Sequence, residues 1–230
     1  WQSVSLDNSY TNPVVIVSDP SFNDGDPAAI RLRNIGSSSF QIRLQEPNYK
    51  DGSHTNETLS YIVVEAGEWE LSDGTRLSAG TTNSNKLSSA GFESLSFSNS
   101  FSAAPTVLTQ IQSFSDADWV VTRTKDINAS GFQLTMQEEE NLNGGGHLSE
   151  SIGWLAIDSG SASDGSTGLQ AATTSDSYTH SPKEVSYSSA FSSAPSLLAK
   201  LNSFNGGDPA NLRISSPSAA GFTARVHEEQ

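Results

Sequence analysis

One pattern of residues occurs three times along this chain of 230 residues, and it limits the fold more than any other feature. From a proline, the pattern continues with Phe, Asp, Arg, Phe and Glu, at gaps of nine, four, five, nine and six residues in every copy. The three copies of the pattern run from Pro13 to Glu46, from Pro105 to Glu138 and from Pro195 to Glu228. A period of about 90 residues indicates a repeat protein in which each copy forms one structural unit.

The three copies differ in completeness. We predict copy one at residues 1–72, copy two at 73–164 and copy three at 165–230. The opening segment of copy two, Leu77–Thr82, is matched by Leu169–Thr174 in copy three but by no part of copy one. The closing segment of copy two, residues 147–160, is matched by residues 54–67 of copy one but by no part of copy three. Copy one is therefore expected to lack its first strand, and copy three its last.

Short stretches rich in Gly, Ser and Asp join the copies, near residues 67–76 and 158–168. We predict turns at both places. Because turns of this length are too short to act as flexible linkers, the copies are expected to pack against one another.

Each copy is predicted to consist of strands joined by turns. Phe40–Glu46 and Phe132–Glu138 alternate apolar and polar residues, which is the period of a strand with one buried face. Apolar stretches at Pro13–Val17, Thr106–Ile111 and Leu197–Leu201 predict further strands. Several short strands per copy predict an all-β fold of tandem antiparallel β-sandwiches, with about 90 residues per repeat.

Charge and cysteine content exclude several classes of function. The formal net charge is −14, with only 12 Lys and Arg residues, whereas nucleic acid and anionic membranes attract clustered positive charge. The apolar runs are far shorter than the roughly 20 residues that cross a bilayer. The chain has no cysteine, so disulfides and thiolate chemistry are absent. We therefore expect neither a nucleic-acid partner nor membrane insertion.

Copy two contains the residues by which a family can be named. It resembles the H-type lectin domain in its opening Leu77–Gly80, in Phe97, Phe101 and Pro105, in Asp118, in Gly131–Phe132 and in its closing Gly153–Ile157. The resemblance implies a six-stranded antiparallel β-sandwich that assembles as a trimer and binds sugars in clefts between protomers. It covers the whole chain as one complete and two partial copies, and so implies three copies packed like a trimer within one chain.

The chain departs from that family at the loop that contacts the sugar. Family members carry an aromatic residue and a histidine after the Gly–Phe strand, where copy two has Glu139 and Glu140. An arginine that the family uses for the sugar falls near Trp119. We therefore expect carbohydrate binding without the galactosamine specificity of the family.

The glutamates that end the alternating strand are candidates for sugar contact: Glu46, Glu138 and Glu228. By alternation each lies on the face of the preceding apolar residues, so each carboxylate needs a hydrogen-bonding partner. One interpretation is a structural glutamate bound by Arg, His or backbone N–H groups. The other is a carboxylate at the rim that accepts sugar hydroxyls or binds a cation, and Glu139 extends that cluster.

A His-x2-Glu pair precedes the last strand in copies one and two: His54 with Glu57, and His147 with Glu150. A neutral histidine both donates and accepts, which suits recognition of hydroxyl groups, and a local structural hydrogen bond is the alternative. Trp119 lies in a turn where the other copies have proline. It is interpreted either as an exposed ring on which a sugar stacks or as the filling of a gap between copies.

Paired aspartates occupy turns in copies one and two: Asp24 with Asp26, and Asp116 with Asp118. Hard cations prefer several oxygen ligands, so a calcium site is one interpretation, and turn capping is the simpler one. We expect no cofactor to be required, with calcium as the candidate ligand.

The recurring arginines, Arg31, Arg123 and Arg213, lie within strands. We expect them in structural ion pairs ahead of ligand contacts.

These features favour a module without catalytic activity, since a catalytic pair is normally unique whereas binding sites repeat for avidity. We predict a carbohydrate-binding array of a secreted or cell-surface protein, with a polysaccharide or a cell-surface glycan as partner. Such an array could also be an accessory module of a polysaccharide-degrading enzyme. The alternative is a structural repeat protein that builds a stalk or filament by strand exchange and self-association, because incomplete copies leave open sheet edges. A segment cut from a longer protein explains the incomplete copies more simply.

Overall fold

The computed structural model describes residues 1–141, 145–163 and 168–229, and these residues form seventeen β-strands and one short 3-10 turn, Ser88–Ala90. The strands are β1 (Gln2–Ser5), β2 (Pro13–Val17), β3 (Ala29–Arg33), β4 (Ser39–Gln45), β5 (Tyr61–Glu65), β6 (Gly67–Glu70), β7 (Arg76–Ser84), β8 (Glu93–Ser96), β9 (Thr106–Ile111), β10 (Val120–Asn128), β11 (Gly131–Glu138), β12 (Glu150–Ile157), β13 (Gly160–Ser163), β14 (Gly168–Ala171), β15 (Lys183–Ser186), β16 (Ala210–Ser215) and β17 (Gly221–Glu228). Neighbouring strands in every sheet are antiparallel, so the predicted all-β antiparallel fold is confirmed.

Three sheets, which we call the outer sheets, share one strand order. They are β1–β4–β3 in copy one, β8–β11–β10 in copy two and β15–β17–β16 in copy three. The middle strand of each is the recurring Phe-to-Glu segment, and the strand that precedes it along the chain carries the recurring arginine. The alternation predicts the buried face correctly, since Phe40 and Ile42 lie in the core of copy one.

A second sheet, the inner sheet, covers the apolar face of the outer sheet in copies one and two. In copy one the inner sheet is β2–β5, and it packs on β3 and β4. In copy two it is β6–β7–β12–β9, where Val107 and Ile152 pack on Phe132 of the outer sheet. Each of these two copies is therefore a β-sandwich.

The other face of each inner sheet is buried against the neighbouring copies. Val14 and Ile16 of β2 belong to an apolar cluster that also contains Leu155 of copy two and Ala171 of copy three, and we call this cluster the shared core. The side chains on one face of β2 are buried in its own sandwich, and those on the other face are buried in the shared core. A strand that is buried on both faces carries apolar residues without alternation, and β2 is such a run. The three copies are docked on one another.

The links between copies are hairpins rather than plain turns. Strand β6 pairs with β7, and β13 pairs with β14, in one register: Gly67 lies opposite Ala79, and Gly160 opposite Ala171. Both glycines have a left-handed φ, of 143° and 142°, at the point where the chain leaves one copy for the next. The prediction of turns at these links was thus wrong for residues 67–70 and 160–163. The predicted boundary between residues 164 and 165 lies outside the described residues.

The predicted strand Leu197–Leu201 does not form, although its counterparts β2 and β9 do. Strand β2 pairs with β5, and β9 pairs with β12. No described residue of copy three takes the place of β5 or β12, so the segment has no antiparallel partner. Leu198 still packs at the edge of the shared core.

Candidate functional site at the junctions between copies

The arginine of copy one reaches into copy two. Arg31, on β3, is fully buried, and its Nη2 donates to Glu150 Oε1 at 3.0 Å and to the carbonyl oxygen of Asp116 at 3.0 Å. Its Nη1 donates to the carbonyl oxygen of Asp118 and to Gln45 of its own copy. One side chain thus joins a strand of copy one to a loop and a strand of copy two.

The arginine of copy three reaches into copy one in the same way. Arg213, on β16, is 1% exposed and donates to the carboxylate of Glu57 and to the carbonyl oxygens of Ser21, Asp24 and Asp26. The Arg213–Glu57 and Arg31–Glu150 ion pairs both have fully buried side chains. The expectation of structural ion pairs is confirmed for these two arginines.

The arginine of copy two completes the series by reaching into copy three. Arg123 donates to the carbonyl oxygens of Ser203 and Asp208 and to Gln137 of its own copy. Its side chain contacts no carboxylate among the described residues. We call each of these contact sets an arginine clamp. The clamps run from copy one to two, from two to three and from three to one, and so form a closed ring.

Each clamp also stacks on the recurring phenylalanine of the next copy. The guanidinium carbon lies 4.7 Å from the ring centre of Phe114 for Arg31, 5.1 Å from that of Phe204 for Arg123, and 5.1 Å from that of Phe22 for Arg213. A buried guanidinium over an aromatic face gains a cation–π contribution. The recurring Phe, Asp and Arg therefore act together at a junction, and this common task accounts for their fixed spacing.

The two His-x2-Glu pairs belong to these clamps. His147 bonds to Glu138 through Nδ1 and contacts Glu150 Oε1 at 3.4 Å through Nε2, while Glu150 also bonds to Arg31. In copy one, His54 contacts Glu46 at 2.9 Å and Glu57 at 3.2 Å in the same order. Acid, histidine, acid and arginine thus form a hydrogen-bonded chain whose arginine comes from the preceding copy in the ring. These contacts are the structural role that was the alternative to sugar binding.

Burial and partners shift the pKa values in this chain. Burial alone favours the neutral form of Glu150, but bonds from His147, Ser113 and Ser115 and the charge of Arg31 hold its pKa at about 2. Burial opposes the charging of His147, but the two carboxylates outweigh it and raise the pKa of the imidazole. A histidine whose pKa is raised by two neighbouring acids suits a buried connection better than a site for a neutral ligand.

The remaining glutamates predicted for sugar contact have different surroundings. Glu139 is fully buried, and its carboxylate accepts the backbone N–H of Asn48 in copy one. Glu228 is exposed. Of the nine residues predicted for sugar contact, Glu228 is the one on the surface.

Trp119 is 1% exposed, so the interpretation as an exposed stacking ring was wrong. The ring packs with Ala29 of copy one and Val121 of copy two, and it fills a gap between these copies. The other copies have proline in this place, so the sequence alone did not decide between the two interpretations.

The paired aspartates cap their turns. Asp24 accepts the backbone N–H of Asp26 at 3.1 Å and that of Thr55 at 3.0 Å, and these bonds hold its pKa at about 2. Asp116 accepts the backbone N–H of Asp118 and that of Leu148. Asp26 pairs with Lys50, and Asp118 accepts the side-chain amide of Asn48. No three acidic or histidine side chains converge as a metal site in the described part of the chain. Calcium binding stays a prediction.

Several junction residues escaped the sequence analysis because they do not recur. Lys200 of copy three pairs with Asp19 of copy one at 2.5 Å, and both side chains are largely buried. Gln112 of copy two accepts the N–H of Val15 at 2.7 Å and so joins two inner sheets. The signal that was available lay in the arginines: a strand arginine with too few acceptors in its own copy must find carbonyl or carboxylate oxygens in another.

Comparison with known proteins gives one relative. The whole chain is 30% identical over 239 aligned residues to halomucin from Haloquadratum walsbyi, and it spans 2% of the length of that protein. No family model and no solved structure matches the chain. The resemblance to the H-type lectin domain therefore stays a prediction. No helix in the described part of the chain is long and apolar enough to cross a membrane.

Proposed function

We propose that this chain is a structural module of a long extracellular or cell-surface protein, in which three repeat copies are locked into one rigid unit. The observation that carries the proposal is the closed ring of arginine clamps. Breaking a fully buried pair such as Arg31–Glu150 leaves an uncompensated charge and costs about 3–5 kcal/mol. Such contacts resist separation of the copies, which is what a spacing element under mechanical tension needs.

The comparison with halomucin supports the setting of this module. The chain aligns from end to end within 2% of that protein, which is the relation expected of one module in a very long chain. The name of the relative contains the word mucin, and mucin-like proteins form extracellular stalks. The acidic net charge of −14 keeps such a surface well hydrated.

Carbohydrate binding is the second candidate, and two exposed rings favour it. Tyr61 on β5 is 45% exposed and Trp69 on β6 is 46% exposed, and sugars stack on such rings. A screen against glycans and polysaccharides, with calcium and with chelator, tests this candidate. Binding of a glycan that is lost in Trp69→Ala but kept in Trp119→Phe would support carbohydrate binding at the exposed rings. No binding with calcium or with chelator would contradict this candidate.

Single-molecule pulling between the two chain ends tests the structural proposal. A locked module unfolds in one event that releases nearly the whole chain, about 750 Å at 3.3–3.6 Å per residue. Three independent copies would instead unfold in three events of about 240, 300 and 220 Å, in proportion to their lengths. The second pattern would contradict the proposal.

Matched variants show whether the clamps are responsible. In the double variant Arg31→Met and Arg213→Met, copy one loses its clamps on both sides, so we expect it to unfold in a separate event at lower force. Lys50→Met removes a more exposed ion pair with Asp26 and is expected to leave the single event unchanged.

A further inference from the structure

Two pairs of arginines lie opposite each other on neighbouring strands of the outer sheets. In copy one, Arg31 of β3 is directly opposite Arg43 of β4. In copy three, Arg213 of β16 is directly opposite Arg225 of β17. Like charges at directly opposite positions of an antiparallel pair are destabilising. A repulsive contact that occurs twice at equivalent positions is the kind of local cost that functional sites carry.

Both arginines of a pair contact the same ring, the recurring phenylalanine of a neighbouring copy. The guanidinium carbons of Arg31 and Arg43 lie 4.7 Å and 4.6 Å from the ring centre of Phe114. In copy three, the guanidinium carbons of the equivalent pair lie 5.1 Å and 4.2 Å from the ring centre of Phe22. The ring contact holds each guanidinium group in place, so a ligand does not have to order it.

The two arginines of a pair differ in their other partners. Arg31 and Arg213 are the buried clamp arginines, and each forms an ion pair with a glutamate of the next copy. Arg43 and Arg225, which we call the outer arginines, are half-buried. Neither outer arginine has a hydrogen bond or an ion pair within the described part of the chain. Their guanidinium groups therefore carry donors that the described protein does not use.

Copy two shows that a clamp forms without an outer arginine. Its clamp arginine, Arg123, lies opposite Thr135, whose hydroxyl donates to the carbonyl oxygens of Lys86 and Gly91. The guanidinium carbon of Arg123 still lies 5.1 Å from the ring centre of Phe204. The junction thus does not require an outer arginine, and the outer arginines of the other two copies have a different task.

The surroundings of Arg43 add positive charge. Arg33 lies two positions after Arg31 on the same face of β3. The guanidinium carbons of Arg33 and Arg43 lie 4.2 Å and 4.8 Å from the ring centre of Trp1. Burial, and then the charge of Arg33, lower the pKa of Arg43, but an arginine keeps its charge at neutral pH. In a chain with 26 Asp and Glu residues and 12 Lys and Arg residues, this spot attracts anions.

We propose that the outer arginines, Arg43 and Arg225, bind carboxylate groups of an acidic polysaccharide. A guanidinium group binds a carboxylate through two parallel hydrogen bonds, and the unused donors allow this geometry. The rings of Trp1 and Phe22 beside the outer arginines are half-buried, so each exposes apolar surface on which a sugar packs. Two equivalent sites in one chain suit a polymer that repeats one charged group. This binding is a further activity beyond the structural role proposed above.

The acidic surface restricts the ligand to sparse negative charge. The net charge of −14 repels dense polyanions, and two separate cationic spots neutralise few phosphates of a nucleic acid. We therefore expect an acidic sugar chain to bind and single-stranded DNA not to bind.

A galacturonate trimer is the probe, in a buffer of low ionic strength without other carboxylates. We expect saturable binding by isothermal titration calorimetry, with two sites per chain. The side-chain Nε–Hε signals of Arg43 and Arg225 should shift in NMR spectra during the titration. A neutral galactose trimer of the same length should not bind.

Matched variants locate the sites. Arg43→Gln and Arg225→Gln should each remove one of the two sites, and the double variant should bind at least about tenfold more weakly. The control is the double variant Arg76→Gln and Lys86→Gln, which loses the same charge from cations that already pair with glutamates. The control should bind like the unaltered chain. The first double variant should keep its melting temperature, because the lost ring contacts are offset by relief of the repulsion.

Several results would overturn the inference. Equal losses of binding in the two double variants would assign the binding to net charge. Equal binding of the neutral trimer, or no saturable binding of the acidic one, would remove the sites. Equal affinity for a glutamate tripeptide or for single-stranded DNA would remove the polysaccharide as the ligand. None of these results bears on the proposed rigid module, since the pulling experiment reports on the buried clamps.

Discussion

Arg31 and Glu150 lie 119 positions apart in the sequence and form an ion pair of 3.0 Å in which neither side chain is exposed. Both charges carry further bonds, since Arg31 binds two carbonyl oxygens and Glu150 accepts from Ser113 and Ser115. A buried pair is stable only when such secondary bonds satisfy its remaining donors and acceptors. The pair therefore joins copies one and two only in the arrangement that the structure shows.

Arg31→Met is the first test of this joint. The methionine matches much of the volume but leaves Glu150 buried and without its cation, so we expect a loss of about 3–5 kcal/mol in the free energy of unfolding. Urea unfolding followed by tryptophan fluorescence measures it. Lys50→Met, at the more exposed pair with Asp26, is the control and should cost less than about 1 kcal/mol. Similar losses in the two variants would show that the clamp adds no stability of its own.

The strands of the outer sheets could be predicted from the sequence because their signal is local. Alternation along Phe40–Glu46 and Phe132–Glu138 reports one buried face, whatever lies elsewhere in the chain. The same logic failed for Leu197–Leu201, because a strand exists only with a partner and the described part of copy three offers none. It also failed for β6, since the polar sequence Gly67–Glu70 carries no apolar alternation and is held only by its register with β7.

The candidate site was harder to predict than the fold. The sequence identified Glu138, His147 and Glu150 as a recurring group that needs partners, and the structure supplies those partners. It could not show that the final partner, Arg31, comes from another copy, because periodicity says nothing about which repeats are neighbours in space. Trp119 shows the same limit, since its burial depends on Ala29 of copy one.

Trp119→Ala tests the packing between copies one and two. Removing a fully buried indole leaves a cavity lined by residues of both copies, so we expect a loss of about 3–5 kcal/mol. Trp69→Ala removes a ring that is 46% exposed and should cost less than about 1 kcal/mol. Thermal unfolding of both variants by circular dichroism makes the comparison. Equal shifts in melting temperature would contradict the interpretation of Trp119 as a filler of the junction.

Salt is expected to stabilise the chain. A net charge of −14 repels itself across the surface, and this repulsion is screened when the Debye length falls from about 10 Å at 0.1 M to about 3 Å at 1 M salt. The buried clamps are shielded from the solvent and change little. We expect the melting temperature to rise by about 3–6 °C between these sodium chloride concentrations, which corresponds to about 1–2 kcal/mol.

A charge-reduced variant is the control for the salt effect. Asp7→Asn, Glu70→Gln and Glu184→Gln alter exposed side chains and change the net charge from −14 to −11, since three negative charges are lost. Its melting temperature should depend less steeply on salt. An equal slope in both proteins would assign the effect to something other than surface repulsion.

His227 makes the stability of the third clamp depend on pH. It occupies the position of Gln45 and Gln137, whose side-chain oxygens accept bonds from Arg31 and Arg123. Burial, and then the charges of Arg213 and Arg225, lower the pKa of His227 to about 4, against weaker opposing influences of a hydrogen bond with the backbone of Gly25 and of the charge of Asp26. Because the pKa is lower in the folded state, the unfolded chain binds a proton first, and stability falls as the pH drops from 6.5 to about 4.

His227→Gln restores the residue of the other two copies and removes this titration. After allowance for the partial exposure of the ring, we expect the variant to be more stable than the unaltered chain by about 1–2 kcal/mol near pH 4. At pH 8 the histidine is neutral in both states, so the difference should shrink to that of one added hydrogen bond to Arg213, about 1 kcal/mol or less. Urea unfolding from about pH 4 to 8 gives the comparison. Parallel pH profiles for the two proteins would show that His227 takes no part in the acid sensitivity. The loss of stability below pH 4.5 would then belong to carboxylates such as Glu150, whose pKa is about 2.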